Sequence, residues 1–263
     1  MRTDATIGII GGSGALGGAI CQALLRAGTA PETLRIANRS GKTPDFARSA
    51  GIAVTTDAQA LVDASDLIVL SLPPAQFSTL RVTICDRLAV SVMAGIAAAR
   101  IARHTGASKI VRAMSSPVAA HGLAYSPWFA TDAVSQAEKA AVHRLFATCG
   151  LTDEIAEEGQ IDHFTALTGP VPGFVAYFAD CMIGHAQDQG IAPAIAERAV
   201  RQLFKASGIV LAQSPEAPGA HVSAMLDYAG TTAAGLEAMR ASPLAENIAS
   251  GLAAAAKKAR DLG

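Results

Sequence analysis

The chain begins with an apolar run that breaks into glycines and resumes as a helical pattern: Ile7-Gly8-Ile9-Ile10-Gly11-Gly12-Ser13-Gly14-Ala15-Leu16-Gly17-Gly18-Ala19-Ile20. Gly12, Gly14 and Gly17 fit G-x-G-x-x-G, the turn by which a first parallel strand hands over to a helix. The first glycine of such a set permits the tight turn, the second lets backbone approach a pyrophosphate, and the third lets helix pack closely on strand. An anion there would meet free N–H groups at the positive end of a helix dipole. The alternative is a glycine-rich surface turn. Its place after Thr6–Ile10 and before the periodic Ala19, Ile20, Ala23 and Leu24 favours the nucleotide-binding reading. Because Gly11 precedes Gly12, either can open the set.

Beyond the turn, apolar strands alternate with helical patterns, which predicts a parallel sheet with helices on both faces. Strands are expected at 6–11, 34–38, 67–72, 89–94 and 109–114, with further candidates near 123–130 and 152–156. Leu67-Ile68-Val69-Leu70-Ser71-Leu72 is almost wholly apolar, as a strand covered on both faces requires. Asp57 suits an N-cap, and Ser135-Gln136-Ala137-Glu138 reads as a capping box opening a helix that ends near Cys149-Gly150. After about residue 158 the pattern is helical to the end, interrupted at 168–173 and 227–232. The last helix, about 243–261, is rich in alanine and carries Lys257, Lys258 and Arg260 where they suit its C-terminal dipole. So apolar a helical tail cannot easily cover itself, so it is expected to pack on a second copy of the chain. Closure onto its own N-terminal domain is the alternative. The expected class is α/β: a Rossmann-type doubly wound sheet over residues 1–158, then an all-helical dimerisation domain over 159–263.

A length of 263 residues suffices for a large buried core, and a net charge of −1 offers no basic footprint for nucleic acid or an anionic membrane. No apolar stretch reaches the length of about 18 residues that a membrane span needs. Met1-Arg2-Thr3-Asp4 leads into the first strand without a signal peptide, so a cytoplasmic protein is expected. Cys21, Cys85, Cys149 and Cys181 are widely spaced, with no C-x-x-C pair and no histidine at metal spacing. They read as reduced, mostly buried thiols, and no metal site is expected.

The end of the second strand selects the cofactor. An acid there would accept hydrogen bonds from the ribose hydroxyls of NAD. Here Leu34-Arg35-Ile36-Ala37 runs into Asn38-Arg39-Ser40. Neutral Asn38 does not repel a 2′-phosphate, Arg39 offers a planar charged fork, Ser40 a further donor, and Lys42 lies close by. NADPH is therefore favoured over NADH, with a solvated loop arginine as the alternative for Arg39.

Several segments, taken in order, resemble the pyrroline-5-carboxylate reductase family. They are the glycine turn, Asn38-Arg39-Ser40, Ser91-Val92-Met93-Ala94-Gly95-Ile96, Arg112-Ala113-Met114, Asp162…Thr165-Ala166-Leu167-Thr168-Gly169 and Gly230-Thr231-Thr232-Ala233-Ala234-Gly235-Leu236. The resemblance implies a homodimer that reduces a cyclic imine, 1-pyrroline-5-carboxylate or a near relative, with NAD(P)H. It also implies cofactor contacts at Gly11, Gly12, Ser13, Gly14, Ala15, Leu16 and Gly17, at Asn38, Arg39 and Ser40, at Ser71, Leu72 and Pro73, and at Ala94, Gly95 and Met114. Substrate contacts fall on Thr168, Gly169, Asp227, Tyr228 and Gly230. Thr232 matches a threonine placed beside the imine nitrogen, and Thr231 precedes it. A threonine hydroxyl is a poor acid, so water is the expected proton source; helix capping is the structural alternative for both threonines.

The chain departs from the family pattern at four places. Arg112-Ala113-Met114 runs into Ser115-Ser116-Pro117 in place of Pro-Asn-Thr-Pro. Ser-Gly-Ser-Gly-Pro-Ala becomes Thr168-Gly169-Pro170-Val171-Pro172-Gly173, and Ser-Pro-Gly-Gly-Thr-Thr becomes Asp227-Tyr228-Ala229-Gly230-Thr231-Thr232. Lys-Pro becomes Pro73-Pro74. An inward-pointing Asp227 would repel a substrate carboxylate, and Tyr228 offers a hydroxyl where the family has proline. Among the histidines, His163, beside Asp162, is the best candidate proton donor, with a plain surface or core histidine as the alternative. Two rival functions remain: an NADPH-binding sensor without turnover, and a β-hydroxyacid-dehydrogenase-like enzyme. The latter is disfavoured because residues 158–190 contain no lysine.

Overall fold

The computed structural model describes residues 5–262. Nine strands and twelve α-helices, with two short 3-10 turns, follow one another along them. In the first part, β1 (Ile7–Ile10), α1 (Ala15–Arg26), β2 (Leu34–Ala37), α2 (Asp45–Ala50), β3 (Ala53–Thr55), α3 (Ala58–Asp63), β4 (Leu67–Leu70) and α4 (Pro74–Phe77) alternate strictly. They are followed by β5 (Leu88–Ser91), α5 (Ala98–Thr105), β6 (Lys109–Ala113), β7 (Ala124–Tyr125), β8 (Trp128–Ala130), α6 (Gln136–Ala147), β9 (Gly150–Leu151) and α7 (Gln160–Leu167). The rest is helical: α8 (Gly173–Asp188), α9 (Pro193–Gln213), α10 (Pro218–Asp227), α11 (Thr231–Ala241) and α12 (Leu244–Arg260).

Seven strands form one sheet in the order β3-β2-β1-β4-β5-β6-β8. All its pairs are parallel except the last, where β8 runs against β6. The strand order reverses between β1 and β4, and ligands of doubly wound sheets bind in the crevice at such a reversal, outside the carboxyl ends of the strands. The alternation of side chains divides the apolar strands between two cores. Leu67 and Val69 of β4 enter one, Ile68 and Leu70 the other, and all four are fully buried.

Compact units divide the chain at Pro170. One takes in the chain up to that residue and the C-terminal stretch from Leu252; the other is Val171–Gly251.

The strands expected at 6–11, 34–38, 67–72, 89–94, 109–114 and 123–130 are present, as are the Asp57 and Ser135 caps. Asp57 Oδ1 accepts from the Ala60 amide (2.9 Å), and Ser135 and Glu138 form the reciprocal capping box. Four expectations are corrected. Residues 152–156 form no strand: apart from an isolated bridge of Glu154 to Trp128, the segment only exchanges single backbone bonds with β8. The short edge strand β3 was not expected. The helical region breaks also at 189–192 and 214–217, where Ala192-Pro193 and Ala217-Pro218 open new helices with proline in the first turn. The thiols are not mostly buried: Cys21 and Cys149 are, whereas Cys85 and Cys181 are exposed. Burial pushes the Cys21 thiol up to about 12 and that of Cys149 to about 11, which keeps both unreactive.

Candidate functional site

The carboxyl edge of the sheet gathers the residues singled out in the sequence. Gly11 leaves β1 at φ +86°, and a Cβ on it would strike the Ser71 carbonyl, so only glycine fits there. The Gly11 amide donates to Ala37 O (2.8 Å), and the Ser71 amide to Ile10 O (2.9 Å). These bonds tie the exits of β2, β1 and β4 together. Gly12 is buried, and a Cβ on it would lie 2.9 Å from Ile36 Cγ1. A Cβ on Gly17 would come within 2.5 Å of Gly11 O, so the third glycine lets α1 press against the turn. Gly11 thus makes the turn, while Gly12 and Gly17 allow close packing. Gly14 is different: it is exposed, and the nearest atom to a Cβ there would be Gly11 O at 3.2 Å. It caps α1, and the first N–H bonded along the helix is that of Gly18, to Gly14 O (2.8 Å). The amides of Ala15, Leu16 and Gly17 therefore have no acceptor within the helix and face the turn as donors.

Asn38 shapes the loop after β2. Its Nδ2 donates to Lys42 O (2.9 Å), its Oδ1 accepts from Ser40 Oγ (3.2 Å), and its own amide donates to Thr55 O (3.1 Å). With the Asn38 side chain spent on the loop, Arg39 is the group projected outward. Arg39 is exposed, and its guanidinium bonds to no described residue. Gly11, Ser13, Gly14, Asn38, Arg39, Ser40, Ser71, Leu72 and Pro73 line one cleft of about 240 Å³, with Gln76 completing the wall. A neighbouring cleft of about 340 Å³ shares Asn38, Arg39, Leu72 and Gln76 and extends over Thr56, Gln59 and Arg81. Gln76, Thr56 and Arg81 escaped the sequence reading. Thr56 follows β3, and without that strand its loop had no assigned place.

Farther along the same edge, Ala94 and Gly95 follow β5, and Met114 follows β6. They lie outside the two clefts. Thr168 and Gly169, at the end of α7, meet Met114 directly. Thr168 Oγ1 lies 3.6 Å from Met114 Sδ, and a Cβ on Gly169 would approach Met114 Cε to 2.7 Å. From the β2 exit to the β6 exit the edge crosses four strand intervals of about 4.8 Å, or about 19 Å in all.

Beneath Met114 is an ion cluster. Arg112, buried on β6, donates through Nη1 to Glu158 Oε1 (3.0 Å) and through Nη2 to Asp162 Oδ1 (3.2 Å). The same Glu158 oxygen accepts from the Ala98 amide (2.7 Å) at the start of α5. Glu158 also escaped the sequence reading; it lies 46 residues from Arg112, and no local pattern announces the pairing. Asp162 is thereby committed to Arg112, and the neighbouring His163 is exposed.

In the helical unit, Gly230 caps α11, and Thr231 and Thr232 form its first turn. Both threonines are exposed, and their hydroxyls bond to no described residue, so they do not cap the helix. Asp227 ends α10 and is exposed, as is Tyr228, whose ring covers Gly230. Among the described residues no cluster of metal-ligating side chains occurs, and no helix is long and apolar enough to cross a membrane.

Residues 158–262 match the family profile described as pyrroline-5-carboxylate reductase dimerisation, and residues 6–95 that described as NADP oxidoreductase coenzyme F420-dependent. The chain is 26% identical to pyrroline-5-carboxylate reductase 2 of Bacillus subtilis, over 97% of its own length and 94% of the relative's. Its fold is that of the pyrroline-5-carboxylate reductase of Coxiella burnetii, with a TM-score of 0.87, 22% identity and 99% of both chains covered. It is likewise that of the pyrroline carboxylate reductase of Plasmodium falciparum solved with NADP bound, with a TM-score of 0.82, 21% identity and both chains covered in full. A cofactor-type sheet edge thus precedes a helical C-terminal region that matches the pyrroline-5-carboxylate reductase dimerisation profile, and the chain as a whole is similar end to end to pyrroline-5-carboxylate reductases.

Proposed function

We propose that this chain reduces the C=N bond of 1-pyrroline-5-carboxylate, or of a closely related cyclic imine, using NADPH, and that it works as a homodimer. The observation that carries the reading is the sheet edge itself, with a glycine turn at its centre and an exposed arginine fork at one end. The end-to-end similarity to pyrroline-5-carboxylate reductases supports the choice of substrate.

The open side of Gly14 and the free amides of Ala15, Leu16 and Gly17 suit a pyrophosphate, with Gly11, Gly12 and Ser13 shaping the cradle. Arg39, with Ser40 and the loop held by Asn38, suits a 2′-phosphate, because a guanidinium binds a phosphate through two parallel bonds. Ser71, Leu72 and Pro73 would border the middle of the cofactor, and Ala94, Gly95 and Met114 its nicotinamide end. When bound, NADPH supplies the hydride. The protein's share is then mainly positioning, which brings reacting atoms to about 3–3.5 Å.

Thr168 and Gly169 would border the substrate beside Met114. From the helical unit, the family resemblance assigns substrate contact to Gly230, Thr231 and Thr232, with Asp227 and Tyr228 as this chain's own additions. A threonine hydroxyl hydrogen-bonds the substrate nitrogen in this scheme, and water delivers the proton, because the hydroxyl is too weak an acid. We place the functional boundary at 158/159: residues 1–158 bind cofactor, and 159–263 form the helical dimerisation and substrate domain. Dimerisation is supported by the exposed apolar side chains of the helical unit, Val175, Tyr177 and Val210 among them.

The test is NADPH oxidation with pyrroline-5-carboxylate and a panel of cyclic imines. Turnover of a cyclic imine supports the reading; NADPH binding without turnover of any imine would replace it with a sensor role. Thr232→Ala is expected to lower kcat about five- to tenfold, the worth of one hydrogen bond, with NADPH affinity unchanged. Unaltered kcat would remove Thr232 from the site.

A further inference from the structure

We infer that Arg112, with Glu158 and Asp162, is a positioning device that sets the nicotinamide end of the site. The inference rests on the proposed cofactor and substrate sites. Arg112 and Met114 lie two residues apart on one edge of the sheet and project to the same face. Arg112 is buried with its side chain 4% exposed, and its fork reaches two carboxylates of the chain entering α7. Glu158 stands in the turn just before Gly159, the N-cap of α7, and Asp162 lies in the first turn of that helix. Both acids also sit at the N-terminal end of α7, where negative charge is favoured.

The cluster joins three loops that the site needs. Glu158 Oε1 holds the Ala98 amide (2.7 Å), so it caps α5, whose own N-cap residue Ala97 offers no side-chain acceptor. That helix starts three residues after Gly95. Arg112 belongs to the strand that delivers Met114. Asp162 lies on the helix that ends at Thr168 and Gly169, which close against Met114. Helix α7 is thus fastened to β6 at both ends, by charge at its start and by close contact at its finish. A shift of that helix would displace Thr168 and Gly169 relative to Met114, and loss of Glu158 would release the start of α5. Lysine cannot replace Arg112, since a single ammonium lacks the planar fork that spans two acids.

The test uses the full-length protein and three variants: Glu158→Gln, which keeps an acceptor but loses the charge, Asp162→Asn and Arg112→Lys. In Glu158→Gln, hydrogen exchange is expected to quicken about tenfold in segments 95–100 and 165–169 while β1 and β4 keep their protection. Cyclic-imine kcat is expected to fall about 10- to 100-fold, the cost of a misplaced reacting group, with the NADPH Kd within about threefold of the parent. Unchanged exchange in 165–169 would overturn the clamp. Faster exchange with unchanged kcat in all folded variants would overturn its positioning role. If the parent protein itself reduces no cyclic imine, the functional proposal fails, while the exchange result still decides whether the clamp exists.

Discussion

The two compact units solve the problem of burying apolar surface in opposite ways. In the unit built on the sheet, strands β1, β4 and β5 are buried at every position, and helices cover both faces. In the helical unit, α8 and α10 contain no buried residue at all, and α9 buries only Ala196 and Val200. Tyr177 is 73% and Val210 55% exposed, and Phe178 and Phe204 stack edge to face as one of few internal aromatic contacts. The first unit satisfies its own hydrophobic pattern. The second has helices long enough to persist but too little self-burial to account for so apolar a composition, which is why its pattern is read as made for another copy.

The widest break in this comparison comes from placing a charge on each unit. Val210→Glu, on α9, is expected to dissociate the proposed homodimer, because an ionised carboxylate left unpaired in a dry interface costs several kcal/mol. Leu123→Glu, at a position 76% exposed in the sheet unit, is expected to leave the assembly intact. Sedimentation of both variants over a range of concentrations decides. Identical behaviour would mean that the exposed face of α9 is not the interface.

The sheet unit is also where one side chain is expected to select the cofactor. Arg39→Ala should weaken NADPH by about 2 kcal/mol, roughly 30-fold, the usual worth of a hydrogen bond to a charged group. NADH, which lacks the 2′-phosphate, should bind as before. Titration of both cofactors separates the outcomes, and equal loss for both would withdraw the 2′-phosphate assignment.

What was legible in the sequence follows the same division. Strand β4 was readable because six nearly continuous apolar residues have one physical explanation, and the glycine turn because its conformations exclude other side chains. β3 was missed because three residues at a sheet edge, with Ala53 exposed, leave no apolar signature. Glu158 was missed because its partners, Ala98 and Arg112, are brought to it only by the fold. The helix breaks before Pro193 and Pro218 were legible in principle, since proline opens helices and Gly190 at φ +82° ends one. They were obscured by the alanine-rich run on either side. The roles of Thr231 and Thr232 came from family resemblance alone, as nothing local distinguishes a substrate-binding threonine from a capping one.

The smallest expected effect concerns how helices start. In the sheet unit, α3 and α6 are capped by side chains; from α8 to α11 the N-caps are Pro172, Ala192, Ala217 and Gly230, none with a side-chain bond. The N-caps of the other early helices, α1, α2, α4, α5 and α7, also make none, so among α1 to α11 the side-chain caps of α3 and α6 are the exception and packing must hold the rest. Ser135→Ala removes one half of the capping box of α6 and should cost about 1 kcal/mol, lowering Tm by about 2–4 °C. The loss should also depend on pH. Burial pushes the Glu138 carboxyl up, but hydrogen bonds from Lys109 and Ser135 and the Lys109 charge more than offset this and hold it below its ordinary value. A carboxyl depressed in the folded state stabilises above its unfolded pKa and loses that contribution as pH falls through the folded one. The parent and Ser135→Ala should therefore differ most near neutral pH and converge in acid, as carboxylate 138 takes up a proton in both. Thermal melts across that range test this, and a difference that grows on acidification would show that the serine hydroxyl caps α6 without help from the carboxylate.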